Sequence, residues 1–402
     1  MITYNKKSLE NLRLLKQAKV WKEKQLFSEP TFDKIQGTYI NDLYTPNFFI
    51  RVGLFLFTSI LISASLGLIT LITFSDSNAD VGLTFRILIY AIITGFATEM
   101  VIKEKKFFRA GVDDALQYAT VGLFITAITI FIDSLNRYNY YDEPYYNEND
   151  NIIQVLAIAL PILIFFATRY VDRLITAMAF GVLIYLIFDL VSNSGPIGKA
   201  VCPFAICLTT FLIYQLVKRY AYAEKWIIWK DNFNIIELLC LLTLYLSVNY
   251  FIVRELNAVL NNDYSSAQIP LAWLFYVTTA TIPLLYIYFG VTKKDRLQLQ
   301  LGMLLITFAV FTFKYYFSLG HHEITITLAG VFMIGVAWVV NKLLKTPKIG
   351  LTVNKDDLEN EFNLSDAEAV VIAETLGKGS AQQDNFEFGE GNFGGGGSGG
   401  RF

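Results

Sequence analysis

The sequence predicts an all-α fold, a polytopic membrane helix bundle of about ten transmembrane helices. Composition points there first: 54% of the 402 residues are apolar and only 17% are charged, outside the norm for soluble domains. Run length is the sharper observation. A helix needs ~20 mostly apolar residues to cross a hydrocarbon core of ~30 Å. Stretches such as LFLFTSILISASLGLITLITF meet that length repeatedly between Phe48 and Leu343. The third observation is that charge is sorted by position, with a polar arm before this block and a polar, glycine-ending tail after it.

Residues 1–47 read as a cytoplasmic helical pair, too polar for a cleavable signal peptide. Ser8 is the expected N-cap of a first helix carrying Leu12, Leu15, Ala18 and Trp21. Ser28 is the expected cap of a second, with Pro30 in its first turn and Phe27 and Phe32 at staple spacing. The phrase LLKQAKVWKEKQLFSEPTFDKIQGTY, followed at once by a first apolar span, resembles a bacterial family of predicted multispanning inner-membrane proteins of unknown function. That family opens with a short Trp-containing helical pair. The resemblance covers roughly the first 75 residues, implies a bacterial inner-membrane protein and lends no catalytic residues.

Residues 48–343 form the transmembrane domain, with ten spans expected at about 50–74, 84–102, 115–132, 152–168, 175–191, 201–217, 234–253, 269–291, 299–317 and 324–343. Basic residues set the orientation. With the N-terminus inside, Lys103, Lys105, Lys106, Arg109, Arg169, Arg173, Lys218, Arg219, Lys225, Lys230, Lys293, Lys294 and Arg296 all fall in cytoplasmic segments. The outer loops between spans hold only Arg137, Lys199 and Arg254. Both termini are therefore expected in the cytoplasm.

A repeat runs through the block. ALPILIFFATRYVDRLITA from Ala159 matches TIPLLYIYFGVTKKDRLQLQ from Thr281 in its proline, its basic turn and its Asp-Arg-Leu. Loop lengths recur in the same order, so a parallel four-plus-four repeat is expected, with the first and tenth spans flanking it. Chance recurrence of Pro-apolar-basic patterns is the competing explanation. Beyond the spans, residues 344–377 are expected to form a cytoplasmic segment with a short helix capped by Ser365 and Glu368. Residues 378–402, including GEGNFGGGGSGGRF, are expected to be a disordered Gly-rich tail, because they lack apolar surface to offset ordering entropy.

Intramembrane ionisable residues are the first place to look for chemistry. Asp189, Lys314 and Arg86 lie near outer span ends and form a candidate outer ion pair gating a path. Interfacial anchoring and snorkelling explain them more simply. Glu99 and Glu237 lie near inner ends. The mid-span polar groups are hydroxyls: Thr278, Thr279 and Thr281, just before Pro283. Proline lacks an N–H, so it frees the Thr279 carbonyl, as Pro161 frees that of Ala157. Hydroxyls beside a freed carbonyl make a candidate path for a small neutral or cationic solute. A kink repaired by neighbouring hydroxyls is the plainer reading.

Other features carry less. Cys202, Cys207 and Cys240 read as buried thiols. His321, His322 and Glu323 share a short outer loop that no further ligand completes as a metal site. The tyrosine-rich, acidic RYNYYDEPYYNENDN reads as an interfacial belt, and AYAEKWIIWKDN as an interfacial helix anchored by Trp226 and Trp229. No phosphate-cradling loop, HExxH, GxSxG or paired-cysteine motif is present, so no enzymatic activity and no cofactor are expected. The expected partners are the lipid bilayer, a protein partner at the cytoplasmic termini and, for a permease, a small solute; no nucleic acid is expected. Two functional classes remain: a small-solute permease, or a non-transporting membrane scaffold or sensor acting through its cytoplasmic ends.

Overall fold

The computed structural model describes residues 2–316 apart from 24–25, 27, 74–78, 140–147, 222 and 262–267, together with isolated helical positions between 327 and 342. The tenth predicted span, the His321–Glu323 loop, the short C-terminal helix and the Gly-rich tail lie largely or wholly outside these residues. Among the described residues the chain is all-α, with no strand and an isolated parallel bridge between Tyr44 and Phe107.

The arm consists of α1 (Lys6–Glu23) and α2 (Glu29–Thr38). Ser8 is not the cap of α1. The helix starts two residues earlier, where Asn5 Oδ1 accepts from the Lys7 N–H at 3.0 Å. Ser8 is buried instead, donating to Asp42 at 2.6 Å. Ser28 precedes α2 in an extended conformation but makes no side-chain cap, its hydroxyl pairing with that of Thr31 at 2.8 Å.

The bundle follows as α3 (Phe48–Thr73), α4 (Ala79–Lys105), α5 (Val112–Asn139), α6 (Glu148–Tyr170), α7 (Arg173–Ser192) and α8 (Pro196–Ala221). A 3-10 segment, Glu224–Trp229, leads into α9 (Lys230–Ser247). Then come α10 (Tyr250–Leu260), α11 (Ala272–Thr292) and α12 (Arg296–Tyr316). Eight of these helices are long and apolar enough to cross a membrane. The stretch expected as a single seventh span is instead a broken pair, α9 and α10, bent by 69°. Leu56, Phe57, Ile60 and Leu61 on α3 are exposed, as a lipid-facing helix requires.

Most helices pack on their chain neighbours, although α3 packs mainly on α5, and glycines bring α11 and α12 close together. A Cβ at Gly290 would lie 2.6 Å from the Leu299 nitrogen, and one at Gly302 would lie 3.0 Å from the Ile287 nitrogen. Small residues at such crossings let backbones touch, which is how membrane helices gain packing without a hydrophobic drive.

The two Asp-Arg-Leu turns are built alike. Val171 takes a left-handed φ of 54°, and Asp172 then caps α7 by accepting from the Ile175 N–H at 2.8 Å. Lys294 takes φ 56°, and Asp295 Oδ1 accepts from the N–H groups of Leu297 at 3.1 Å and Gln298 at 3.2 Å.

Candidate functional site

Between α9 and α10 the backbone opens inside an apolar run, the one such bent pair among the described residues. Asn249 explains it. Its backbone is extended, with φ −76° and ψ 130°, and its side chain accepts from the N–H groups of Phe251 and Ile252. Asparagine is among the strongest N-caps, and here it starts a new helix inside an apolar run. Breaking a helix in an apolar setting leaves backbone groups that need partners. Helix α11 supplies them. Thr278 donates to the Val248 carbonyl at 2.8 Å, and Thr279 Oγ1 accepts from the Tyr250 N–H at 2.9 Å while donating to the Phe275 carbonyl at 2.6 Å.

A buried polar cluster surrounds the break. Asn249 Nδ2 donates to Tyr245 Oη at 2.9 Å and to Thr312 Oγ1 at 3.3 Å, and Thr312 donates to the Phe308 carbonyl at 3.0 Å. Tyr245, Tyr250, Asn249 and Thr279 are wholly inaccessible, and Thr312 nearly so. Toward the far end of α12, Arg254 donates to Tyr250 Oη at 2.9 Å and lies 4.4 Å over the Tyr316 ring, whose hydroxyl donates to Glu255. Thr279 is the eighth residue of a helix of 21, about 10 Å along an axis of about 31 Å. The cluster therefore sits in the third of α11 nearest its N-terminus.

Of the residues singled out in the sequence, Thr278 and Thr279 meet here, and Pro283 is buried one turn further along α11. Thr281 is exposed on another face of α11, and Pro161 is exposed on α6. Asp189, Lys314 and Arg86 stand on α7, α12 and α4; among the described residues no ion pair joins Asp189 to either cation. Cys202, Cys207 and Cys240 are free thiols, and no three metal-ligating side chains converge among the described residues. Asn249, Tyr245 and Thr312 were not singled out. The signal for them was Ser247-Val248-Asn249, a polar interruption in a span that otherwise reads as continuous.

A second polar assembly occupies the opposite end of the bundle, where the basic segments gather. Asp231, at the start of α9, accepts from Arg109 at 2.8 Å and Arg173 at 2.9 Å, with Arg13 of the arm at 4.0 Å. Arg13 also donates to the carbonyls of Ile227 and Ile228. Glu99 on α4 accepts from Arg169 at 2.7 Å, Tyr170 at 2.9 Å and Thr3 of the arm at 3.0 Å. Lys218 bridges Glu237 at 2.5 Å and Asp295 at 2.8 Å, tying α8, α9 and the α11–α12 turn together.

The arm itself enters this end. Tyr4, Leu9 and Leu12 share one apolar core with Ile102, Phe108, Tyr170, Ile175 and Ile228. Tyr4 Oη accepts from buried Gln117 at 3.3 Å, and its ring meets Phe108 edge-on at 5.0 Å. Burial raises the Tyr4 phenol well above its ordinary range, with Asp113 adding to the rise, so it stays protonated. Asp42 is held below the usual carboxylate range, chiefly by its hydrogen bond from Lys106 and then by that from Ser8. Comparison with protein-family models, curated proteins and solved structures finds no match for this chain.

Proposed function

We propose that this integral membrane protein is a non-transporting scaffold or sensor, working through the end of the bundle where the N-terminal arm docks. One observation carries the reading: the arm's Tyr4, Leu9 and Leu12 belong to the same core as the ends of four membrane helices and the 3-10 segment. Any shift among those ends alters the arm's seat, so the membrane part and the arm respond together. The broken helix is compatible with this reading. Its freed backbone groups and buried side chains bond one another, as buried irregular backbone must, and no polar path is needed to explain them.

The finer topology belongs to this proposal. We place ten spans in a bacterial inner membrane with both termini in the cytoplasm, because Lys103, Arg109, Arg169, Arg173 and Lys218 gather at the arm's end. The resemblance of the arm to a bacterial multispanning family supports the same location. The matching turns at Asp172 and Asp295 support a parallel repeat of α4–α7 in α8–α12. The partners in this reading are the bilayer and a protein met at the cytoplasmic termini, with no nucleic acid, cofactor or catalytic step.

A small-solute permease is the second reading, favoured by the broken helix itself. Discontinuous helices beside small hydroxyls frame the sites of many transporters, and Thr278 and Thr279 stand against this one. A deletion strain separates the two when profiled for solute uptake and metabolites after complementation. The scaffold reading expects Thr279→Val to complement and a chain lacking residues 2–23 to fail. Loss of uptake of any solute in Thr279→Val, with protein level unchanged, overturns it.

A further inference from the structure

Beside the core that seats the arm, the bundle holds a further feature away from the break. A groove of about 530 Å³ runs between α6, α7, α8, α9 and the 3-10 segment. Its walls are hydrocarbon, from Leu160, Ile164, Phe180, Leu183, Ile213 and Phe233 among others. Most of the polar groups lining it are engaged, although the buried Asn232 Oδ1 has no partner among the described residues. Asn232 donates to the Ala167 carbonyl at 3.1 Å and to Thr176 at 2.8 Å, Thr176 donates to the Asp172 carbonyl at 2.6 Å, and Thr168 donates to the Ile164 carbonyl at 2.9 Å. One buried acceptor among walls of hydrocarbon suits an acyl chain better than a polar solute.

The groove's length and ends are more specific than its walls. From Leu160 to Thr168 on α6, and from Thr176 to Leu183 on α7, it follows seven to eight residue steps of helix, about 11–12 Å. That is somewhat under half of a ~30 Å hydrocarbon core, so it fits within one leaflet. Ile164 on its wall and the adjacent Phe165 are about half exposed, so the slot opens sideways toward lipid. At its basic end stand Trp226 and Trp229, with ring centres 5.3 Å apart, and Trp229 is pinned by its indole N–H to the Thr168 carbonyl at 2.9 Å. Indoles at this depth mark the headgroup level. Lys225 lies over the Trp226 ring with its ammonium 5.8 Å from the centroid, and Arg219 and Lys230 are exposed on either side of the 3-10 segment. The nearby carboxylate of Asp231 is occupied by Arg109 and Arg173.

We infer that this groove is a binding site for one anionic glycerophospholipid of the surrounding bilayer, with an acyl chain in the slot and the phosphate beside Lys225 and Trp226. The site is independent of the scaffold reading, and a permease would carry it equally well. It differs from the ordinary lipid coat in having a headgroup preference.

The test uses the full chain in phosphatidylcholine vesicles, with Trp21, Trp273 and Trp338 replaced by Phe so that fluorescence reports Trp226 and Trp229. Acyl-brominated phosphatidylglycerol or acyl-brominated phosphatidylcholine is then titrated in as quencher. The expected result is an exchange constant about fivefold higher for the anionic lipid, which is what one lysine near an anionic headgroup supplies. Lys225→Gln should bring the ratio close to one, and Ala179→Leu, which narrows the slot, should weaken quenching by both lipids. A ratio of one in the parent protein, or a preference unchanged in Lys225→Gln, overturns the site. Lys225 is exposed, so that variant decides the matter even if Ala179→Leu does not fold.

Discussion

Removing the Tyr4 ring should release the arm while leaving the bundle folded. The ring is 5% exposed, packs edge-on against Phe108, and takes a hydrogen bond from Gln117. Deleting a buried aromatic side chain costs about 3–5 kcal/mol. Gln117 compounds the loss: its Oε1 has no protein partner among the described residues, so Tyr4→Ala leaves its amide nitrogen unbonded too. Taking about 4 kcal/mol for the sum, the docking equilibrium shifts about a thousandfold toward the open arm. Native-state trypsin cleavage after Lys6, Lys7 and Arg13 reads this directly. When opening and closing outpace cleavage, the cleavage rate follows the open population. Tyr4→Ala should therefore be cut at least a hundredfold faster than the parent, while Lys19→Ala, an exposed change on the same helix, is cut at the parental rate. The bundle should stay monodisperse and resist cleavage elsewhere. A rise below tenfold with the bundle intact would refute the claim that the arm is held by its core contacts.

Three further outcomes follow from the same structure. Asp231→Asn removes the shared counter-charge of Arg109 and Arg173 and should cost about 2–3 kcal/mol, below the range for a fully buried pair because the carboxylate is 26% exposed; in detergent its thermal midpoint should fall further than that of Arg173→Gln, and the reverse order would be evidence against a shared anchor. Gly290→Ala places a Cβ 2.6 Å from the Leu299 nitrogen and should cost about 1–3 kcal/mol, whereas Gly67→Ala, with open space around it, should be neutral or stabilising in the same melt. The Asp42 carboxylate is depressed in the folded chain, so its contribution to arm docking is present above the ordinary carboxylate value of about 3.9 and is lost as pH falls through the lower, folded value. Arm protection measured against pH should show this as an acid-side loss that Asp42→Asn abolishes, with the bond contributing evenly from pH 7 to about 5.

Most of the architecture was legible because hydrocarbon thickness sets a length that few other structures need. Runs of ~20 apolar residues have the length and composition to cross a membrane as helices, and eight such helices are present among the described residues. The Asp-Arg-Leu turns were legible for a local reason, since aspartate caps a helix start wherever it stands. The α9–α10 break was not legible in the same way. Hydropathy averages over Asn249, and a cap inside an apolar run is tolerable only if another helix satisfies the opened backbone. Thr278 and Thr279 were visible as hydroxyls beside a proline, but the groups they bond lie 30 and 29 residues away in sequence. Thr281, three residues on from Thr278, turned out to face outward. The arm posed a similar difficulty: its helices were readable, yet nothing in Met1–Pro46 says that Tyr4 reaches Gln117, 113 residues later.

By itself the sequence determined that the chain is helical, where its long apolar runs lie and that basic segments alternate with them. Each of those properties depends on local length, period or charge. Tertiary structure alone decided that the apolar run after α8 breaks at Asn249, that the arm belongs to the bundle's core, and that an apolar groove ends at Trp226 and Trp229. Those depend on which distant side chains meet, because a backbone opened in hydrocarbon, a buried phenol and an apolar slot are each stable only when a remote segment supplies the other half.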